Sequence, residues 1–162
     1  MSETSSRLPV VALTLGDPAG IGPELIARLP RALRPRLDDK QQRDLDLCHL
    51  VNLDAIATGQ ADPQIMWDVV ACVLTWSYVA RELQSGEPEM AEQTALALRL
   101  IDRWERTGRV LFDGPDYQLA KQGLDVMRQL ASLTDQPTAA AACLWSDAQL
   151  QLMPALTNRF AP

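Results

Sequence analysis

A long, strongly apolar segment at residues 62–84 constrains the fold of this 162-residue chain more than any other feature. Asp62 and Pro63 suit the cap and first position of a helix, and Gly86 provides a stop soon after the segment ends. Its apolar residues recur at spacings of three and four, with a second stripe beside the first; the main stripe is Met66, Val69, Val73, Trp76, Ala80 and Leu83. Because such a helix needs neighbours on several sides, we predict that it lies at the centre of the fold.

Four more helices are predicted around this segment, each with its own start or stop signal. The first begins at Asp38 or Asp39 and ends near Thr58, before Gly59. It carries a broad apolar face that consists of Leu47, Leu50, Val51, Leu53, Ile56 and Ala57. The other three begin at Pro88, after Asp113-Gly114-Pro115, and at Thr138. Residues 38–153 are therefore predicted to form a mainly α, helical bundle of about five helices.

Residues 1–37 differ in character from the rest of the chain. Residues 10–15 predict one short β-strand, a glycine-rich turn follows, and Pro23 suits the start of a helix that ends near Pro30. Residues 31–36 are arginine-rich and contain a second proline, which indicates a basic linker. We thus expect a short N-terminal strand-turn-helix appendage with its linker at 1–37, a helical domain at 38–153 and a loose tail at 154–162.

The net charge of −6 is spread unevenly along the chain. Residues 1–37 carry five arginines against Glu3, Asp17 and Glu24, which gives +2 and leaves −8 for the remainder. The negative charge of residues 38–162 disfavours binding to the phosphate backbone of a nucleic acid, so nucleic acid is not expected as a partner. Two interpretations stay open: the charge keeps the protein soluble, or an acidic surface meets a basic partner.

The cysteine and histidine content limits the chemistry further. Cys48, Cys72 and Cys143 are odd in number and widely spaced in apolar helical patterns, which fits buried free thiols in a reducing cytoplasm. With His49 as the single histidine and no CxxC pair, no metal and no cofactor are expected. The first residues are Ser-rich and do not predict a secretion signal. The apolar run in residues 65–80 is interrupted by Asp68 and is too short to span a bilayer, so no membrane role is expected.

The best candidate site of the helical domain is the loop between the third and fourth predicted helices, with Arg106, Arg109 and Asp113. In a functional interpretation, one of the arginines binds a carboxylate or phosphate of a partner. In a structural interpretation, the loop only caps two helices, because Gly108 can end one and Asp113 can start the next.

Two single residues are also candidates. His49 lies near Asp46 and Asp54 and would suit a general base, although a structural histidine is the simpler interpretation. Trp67 lies one place off the main apolar stripe of its helix. If it is exposed, it marks the surface for a protein partner or a homodimer.

A glycine-rich turn at the N-terminus is the one stretch that suggests enzyme chemistry. Gly16, Asp17, Gly20 and Gly22 follow the predicted strand and precede a helix, an arrangement that directs backbone N–H groups at an anion. Residues 11–25, VALTLGDPAGIGPEL, closely resemble the N-terminal motif of the 4-hydroxythreonine-4-phosphate dehydrogenase family. The resemblance implies an NAD(P)-dependent enzyme with a divalent metal on three histidines, but a chain whose only histidine is His49 cannot build that site, so no catalytic residue is carried over.

Residues 37–142 are similar to small uncharacterised helical proteins of proteobacterial phages and mobile elements. The residues that carry the similarity are HLVNLDAI at 49–56, ERTGR at 105–109 and FDGP at 112–115. The similarity implies a helical fold and a mobile-element setting. We therefore expect a small non-catalytic interaction or regulatory protein, in one concrete form an acidic inhibitor of a nucleic-acid-handling host system; the alternative is a remnant or variant of the NAD-dependent dehydrogenase.

Overall fold

The computed structural model describes residues 29–153, and these residues form five α-helices after a short 3-10 helix at Arg31–Leu33. The helices are α1 (Asp39–Ala57), α2 (Pro63–Leu83), α3 (Glu87–Thr107), α4 (Gly114–Leu133) and α5 (Gln136–Gln151). The prediction of a mainly helical bundle is confirmed for this part of the chain, where the one β-type pairing is an isolated bridge between Arg36 and Asp135. The predicted N-terminal strand, turn and helix lie outside the described residues.

Four of the five helices begin at an aspartate whose carboxylate accepts the backbone N–H three residues further on; they are Asp38, Asp62, Asp113 and Asp135. Each bond satisfies one of the N–H groups that a helix start leaves unpaired. The start predicted at Thr138 is wrong, because Asp135 caps α5 and the proline at residue 137 is accommodated in the first turn. Thr138 instead donates its backbone N–H to the Asp135 carboxylate (2.8 Å).

Helix α2 is the centre of the bundle, as its sequence predicts. Among the described helices it packs against all four others, whereas α5 packs against α2 alone. Short connections make successive helices antiparallel, so α1 to α4 form a four-helix arrangement with α5 on the outside of α2. The buried side chains of α2 therefore point in several directions; they are Met66, Trp67, Val70, Val73, Leu74, Trp76, Val79 and Ala80.

The broad apolar face predicted for α1 is only partly buried. Leu53 and Ile56 belong to the core, but Leu47, Leu50 and Val51 are exposed. The reason is that α1 packs against α2 and α4 only, which covers one side of the helix. The apolar residues on its other side face solvent.

Residues 31–37 lie against the start of α5, although their sequence predicts a linker. Leu37 is buried in the core, and its backbone N–H donates to the carbonyl of Thr134 (3.2 Å). The buried carboxylate of Asp135 lies 3.7 Å from Arg31 and 3.9 Å from Arg34. These contacts attach the segment to the bundle; the proposed domain boundary at residue 37 stays a prediction.

Candidate functional site

A small internal cavity of about 30 Å³ lies between the first four helices. Most of its lining is aliphatic, but every one of the four helices also contributes polar or sulfur-containing side chains: His49 and Asn52 from α1, Cys72 from α2, Gln93 from α3 and Met127 from α4. A water molecule needs roughly 10–15 Å³ of such volume. The cavity is thus large enough for one small occupant and too small for an organic substrate.

His49 and Cys72 form the closest polar contact at the cavity. The Nε2 atom of His49 and the Sγ atom of Cys72 are hydrogen-bonded at 2.9 Å, and Cys72 Sγ also lies 3.7 Å from Met127 Sδ. The edge of the imidazole packs against Trp76, with the ring centroids 6.4 Å apart and the planes nearly perpendicular. The pair could not be predicted from the sequence, because His49 and Cys72 belong to different helices and are 23 residues apart.

The electrostatics of the pair keep both partners neutral at pH 7. Burial lowers the pKa of His49 to about 4; the charge of Asp46 opposes this shift, and Arg128 adds a smaller effect in the same direction as burial. Burial also raises the pKa of the Cys72 thiol, and Cys48 and Cys143 raise it further. An activated cysteine nucleophile needs the opposite shifts, towards a thiolate and an imidazolium. The contact is therefore a neutral hydrogen bond and does not activate the thiol.

Gln93 is a buried polar residue beside the same cavity. Its side-chain Nε2 donates to the carbonyl of Leu119 at 2.9 Å, which links α3 to α4. The amide fits there because residue 123 on α4 is a glycine, where a Cβ atom would overlap the Gln93 side chain. A close approach of two helices thus depends on the pairing of Gln93 with Gly123.

The three candidate residues at the loop between α3 and α4, Arg106, Arg109 and Asp113, make separate contacts in the structure. Asp113 caps α4 by accepting the N–H of Asp116 (2.8 Å) and also lies 3.0 Å from Arg103. Arg106 pairs with Asp102 on its own helix (3.0 Å). Arg109 is exposed, and its backbone N–H donates to a threonine hydroxyl at the end of α3. This geometry agrees with the structural interpretation of the loop, in which Asp113 acts as a helix cap.

Arg99, Arg103 and Asp116 form a network at the loop that sequence analysis missed. Arg99 Nη2 donates to one oxygen of Asp116 (2.9 Å) and Arg103 Nη2 to the other (2.8 Å). Arg103 also donates to the carbonyl of Leu111 (2.7 Å). Burial acts to raise the pKa of Asp116, but the two arginines outweigh it and the pKa is lowered. The sequence signal that could have predicted this network is the spacing of its members: the arginines are four residues apart on α3, and Asp113 and Asp116 are three residues apart at the start of α4.

Trp67 is buried, with only 3% of its surface exposed, so the exposure expected from its position off the stripe is wrong. The reason is that α2 has neighbours on every side, which leaves no solvent-facing direction at this level. The indole packs edge-on against Trp104, with the ring centroids 6.2 Å apart. Its Nε1 atom is the one buried side-chain nitrogen or oxygen in residues 29–153 without a hydrogen-bond partner.

A larger cleft of about 620 Å³ lies at the surface between α1 and α4. Leu50, Leu53 and Leu124 form its apolar floor, and charged or aromatic side chains including Tyr117 and Arg128 form its walls. Arg128 is already held by Asp46 (2.6 Å between Nε and Oδ1) and by Asp125 (2.9 Å). The cleft therefore presents apolar surface next to an arginine whose charge is already paired with carboxylates.

The remaining expectations concern metals, membranes and the N-terminal turn. In the described part of the chain, no group of three or more histidine, cysteine, aspartate or glutamate residues is arranged to hold a metal ion. None of the helices described is long and apolar enough to cross a bilayer. The candidate anion-binding turn with Gly16, Asp17, Gly20 and Gly22 lies outside residues 29–153.

Comparisons with protein-family models, with curated proteins and with solved structures find no match to this chain.

Proposed function

We propose that the chain is a small non-catalytic interaction protein and that the outer face of α1 is its contact surface. The observation that carries the proposal is a strip of exposed aliphatic side chains on this helix. Leu47, Leu50 and Val51 are 52%, 39% and 64% exposed. Residues three and four apart are neighbours on a helix, so the three side chains form one continuous strip. Contiguous apolar surface of this kind is typical of protein interaction sites.

The cleft between α1 and α4 extends this strip. Leu50 belongs to both, since it lines the cleft and stands beside Leu47 and Val51. An anchoring side chain of a partner would bury apolar surface there, on the floor formed by Leu53 and Leu124. The surface thus combines a flat apolar strip with an adjacent recess, which favours a protein partner over a small ligand.

The charge of the protein supports a basic partner. The chain carries a net charge of −6, and exposed acids such as Glu87, Glu89 and Glu92 lie along one end of α3. Complementary charge mainly accelerates association and sets specificity. An acidic inhibitor of a nucleic-acid-handling host system is the concrete form that we propose, because the partner of such an inhibitor has a basic groove. The protein would then act in the cytoplasm.

A non-catalytic role is further supported by the state of the one Cys–His pair described above. With a neutral imidazole and a neutral thiol, His49 and Cys72 supply neither a strong nucleophile nor its base. The dehydrogenase alternative gains no support, since the turn on which it depends lies outside the described residues.

A matched pair of double variants tests the proposal. Leu47→Ser with Val51→Ser removes the strip, and Leu98→Ser with Leu133→Ser removes two side chains that are 55% and 50% exposed elsewhere. We expect the parent and the second variant to retain the same stoichiometric protein from a bacterial lysate, and the first variant to lose it. Retention should weaken as salt is raised.

Sedimentation of the purified protein separates a homodimer from a foreign partner. If the parent is a dimer and the strip variant a monomer, the partner is a second copy of the chain. The proposal fails if the strip variant binds and sediments like the parent, or if both double variants lose the partner equally.

A further inference from the structure

Three soft or borderline donor atoms converge on the internal cavity. They are Nε2 of His49, Sγ of Cys72 and Sδ of Met127, which come from three different helices. All three side chains line the same space of about 30 Å³. The third donor is a thioether, which distinguishes this group from clusters made only of histidine, cysteine and carboxylate side chains.

We propose that His49, Cys72 and Met127 form a binding site for a single Cu(I) ion. Thiolate and thioether ligands select Cu(I), and imidazole also suits copper. The proposal does not depend on the interaction role of α1, because none of the three donor residues belongs to the outer strip or lines the adjacent cleft.

The charge balance favours a monovalent ion. Cys72 would bind as a thiolate, while His49 and Met127 stay neutral, so a Cu(I) complex carries no net charge. A neutral complex is compatible with the aliphatic lining, which includes Val69, Val73 and Leu124. Zn²⁺ would leave an uncompensated positive charge in this cavity and would lack the fourth ligand of a tetrahedral structural site.

The two distances from Cys72 Sγ to the other donors are compatible with three-coordinate binding after a small movement. Bonds of roughly 2.0–2.3 Å hold the donors of a trigonal ion about 3.7–4.0 Å apart. Cys72 Sγ and Met127 Sδ are already 3.7 Å apart. His49 Nε2 and Cys72 Sγ, now 2.9 Å apart, must separate by less than about 1 Å when the ion replaces the proton between them.

The binding step is an exchange of one proton for one ion. The S–H bond of Cys72 breaks, its proton leaves to the buffer, and a bond forms between Sγ and Cu(I) without any transfer of electrons. His49 is neutral at pH 7 and would bind the ion through Nε2 as the tautomer that carries its proton on Nδ1, so the imidazole releases no proton. Because one proton is released, affinity should fall about tenfold for each pH unit of acidification while the thiol is protonated.

The test is a competition titration of the reduced full-length protein against a coloured Cu(I) chelator under anaerobic conditions. The parent should bind one equivalent of Cu(I). Outer-shell substitutions at metal sites typically cost 10–100-fold in affinity, so Cys72→Ala should cost more than about a hundredfold. Met127→Leu conserves volume and should weaken binding at least about tenfold.

Two other thiols provide the control. Cys48→Ser and Cys143→Ser remove the exposed and the half-buried cysteine near Cys72, and both variants should bind like the parent. Thermal unfolding of the metal-free variants checks that each is folded. As the chain has one histidine, its imidazole NMR signals should move on addition of one equivalent of Cu(I) to the parent and should stay in place in Cys72→Ala.

The proposal is overturned if the parent binds no stoichiometric Cu(I), if Cys72→Ala binds as tightly as the parent, or if binding is lost in Cys48→Ser or Cys143→Ser. Tighter binding of Zn²⁺ than of Cu(I) would also overturn it. Should Cys72→Ala fail to fold, the comparison of Met127→Leu with the parent decides the question.

Discussion

The single histidine should make the stability of the metal-free protein depend on pH in a range where few other groups titrate. His49 has a pKa of about 4 in the folded state, because it is buried, against about 6.5 in an unfolded chain. The folded state therefore holds the imidazole neutral while the unfolded state takes up a proton. The stabilising contribution is complete above pH 6.5 and is lost as the pH falls towards 4.

The size of the effect follows from the two pKa values. Each pH unit between them corresponds to about 1.36 kcal/mol, so the full interval amounts to about 3 kcal/mol. By pH 5 the loss relative to pH 7.5 should already be about 2 kcal/mol. Carboxylates contribute little to the change above pH 5, since their unperturbed pKa values are near 4.

Two measurements check this prediction in chelator-treated protein. The imidazole NMR signals of His49 should titrate near pH 4, and urea unfolding should give a free energy that decreases between pH 7.5 and 5. In His49→Gln, whose side chain is polar but does not titrate, the slope in this range should disappear. A midpoint near 6.5, or an equal slope in His49→Gln, would refute the reasoning about burial.

Three further substitutions test the packing and the buried charges, each by denaturant unfolding. Gly123→Ala should lower the free energy of unfolding by about 1–3 kcal/mol, as overpacking does, because the new Cβ displaces the Gln93 amide from the carbonyl of Leu119. The same substitution should cost less in a Gln93→Ala background, where the displaced side chain is absent. Asp116→Asn should cost about 1–3 kcal/mol at pH 7 and progressively less as the pH falls below about 4, the ordinary pKa of an unfolded aspartate, towards the lowered pKa of the folded carboxylate. Val73→Asp should cost more than about 3 kcal/mol because it buries an unpaired charge in the core.

Each of these predictions has a distinct contrary result. Additive effects of the substitutions at Gly123 and Gln93 would mean that the two residues do not compete for one space. A cost of Asp116→Asn that persists at low pH would mean that the charge of Asp116 is irrelevant. A folded Val73→Asp of parental stability would contradict the central position of α2.

The sequence predicted the parts of the fold that depend on local signals. The central position of α2 followed from its apolar circumference, and the caps at Asp62 and Asp113 followed from short-range hydrogen bonding. The same local logic placed the start of α5 at Thr138 and missed the Asp135 cap, because a proline within the first turn was taken as a break. Local patterns thus predicted the presence of each helix more reliably than the residue at which it begins.

Features that depend on the register between helices were not predictable. His49 meets Cys72 only because α1 and α2 pack at one particular offset, and no spacing within either helix encodes it. Trp67 is buried because α3 lies against a side of α2 that the main apolar stripe leaves open, where Trp104 packs against the indole. The partial burial of the apolar face of α1 has the same origin: the number of neighbours a helix obtains is decided by the whole bundle.

Among the helices, α5 packs against α2 alone, and residues 31–37 add contacts only at its start. The first four helices enclose a core without α5, so release of α5 breaks one helix interface and leaves the others intact. Tyr78 on α2 and Trp145 on α5 stack beside the guanidinium of Arg81, which lies 5.3 Å from both ring centroids. Because α2 stays packed against α1, α3 and α4 when this interface opens, the amide hydrogens of α5 should exchange with solvent before those of α2, and Trp145 fluorescence should report the event.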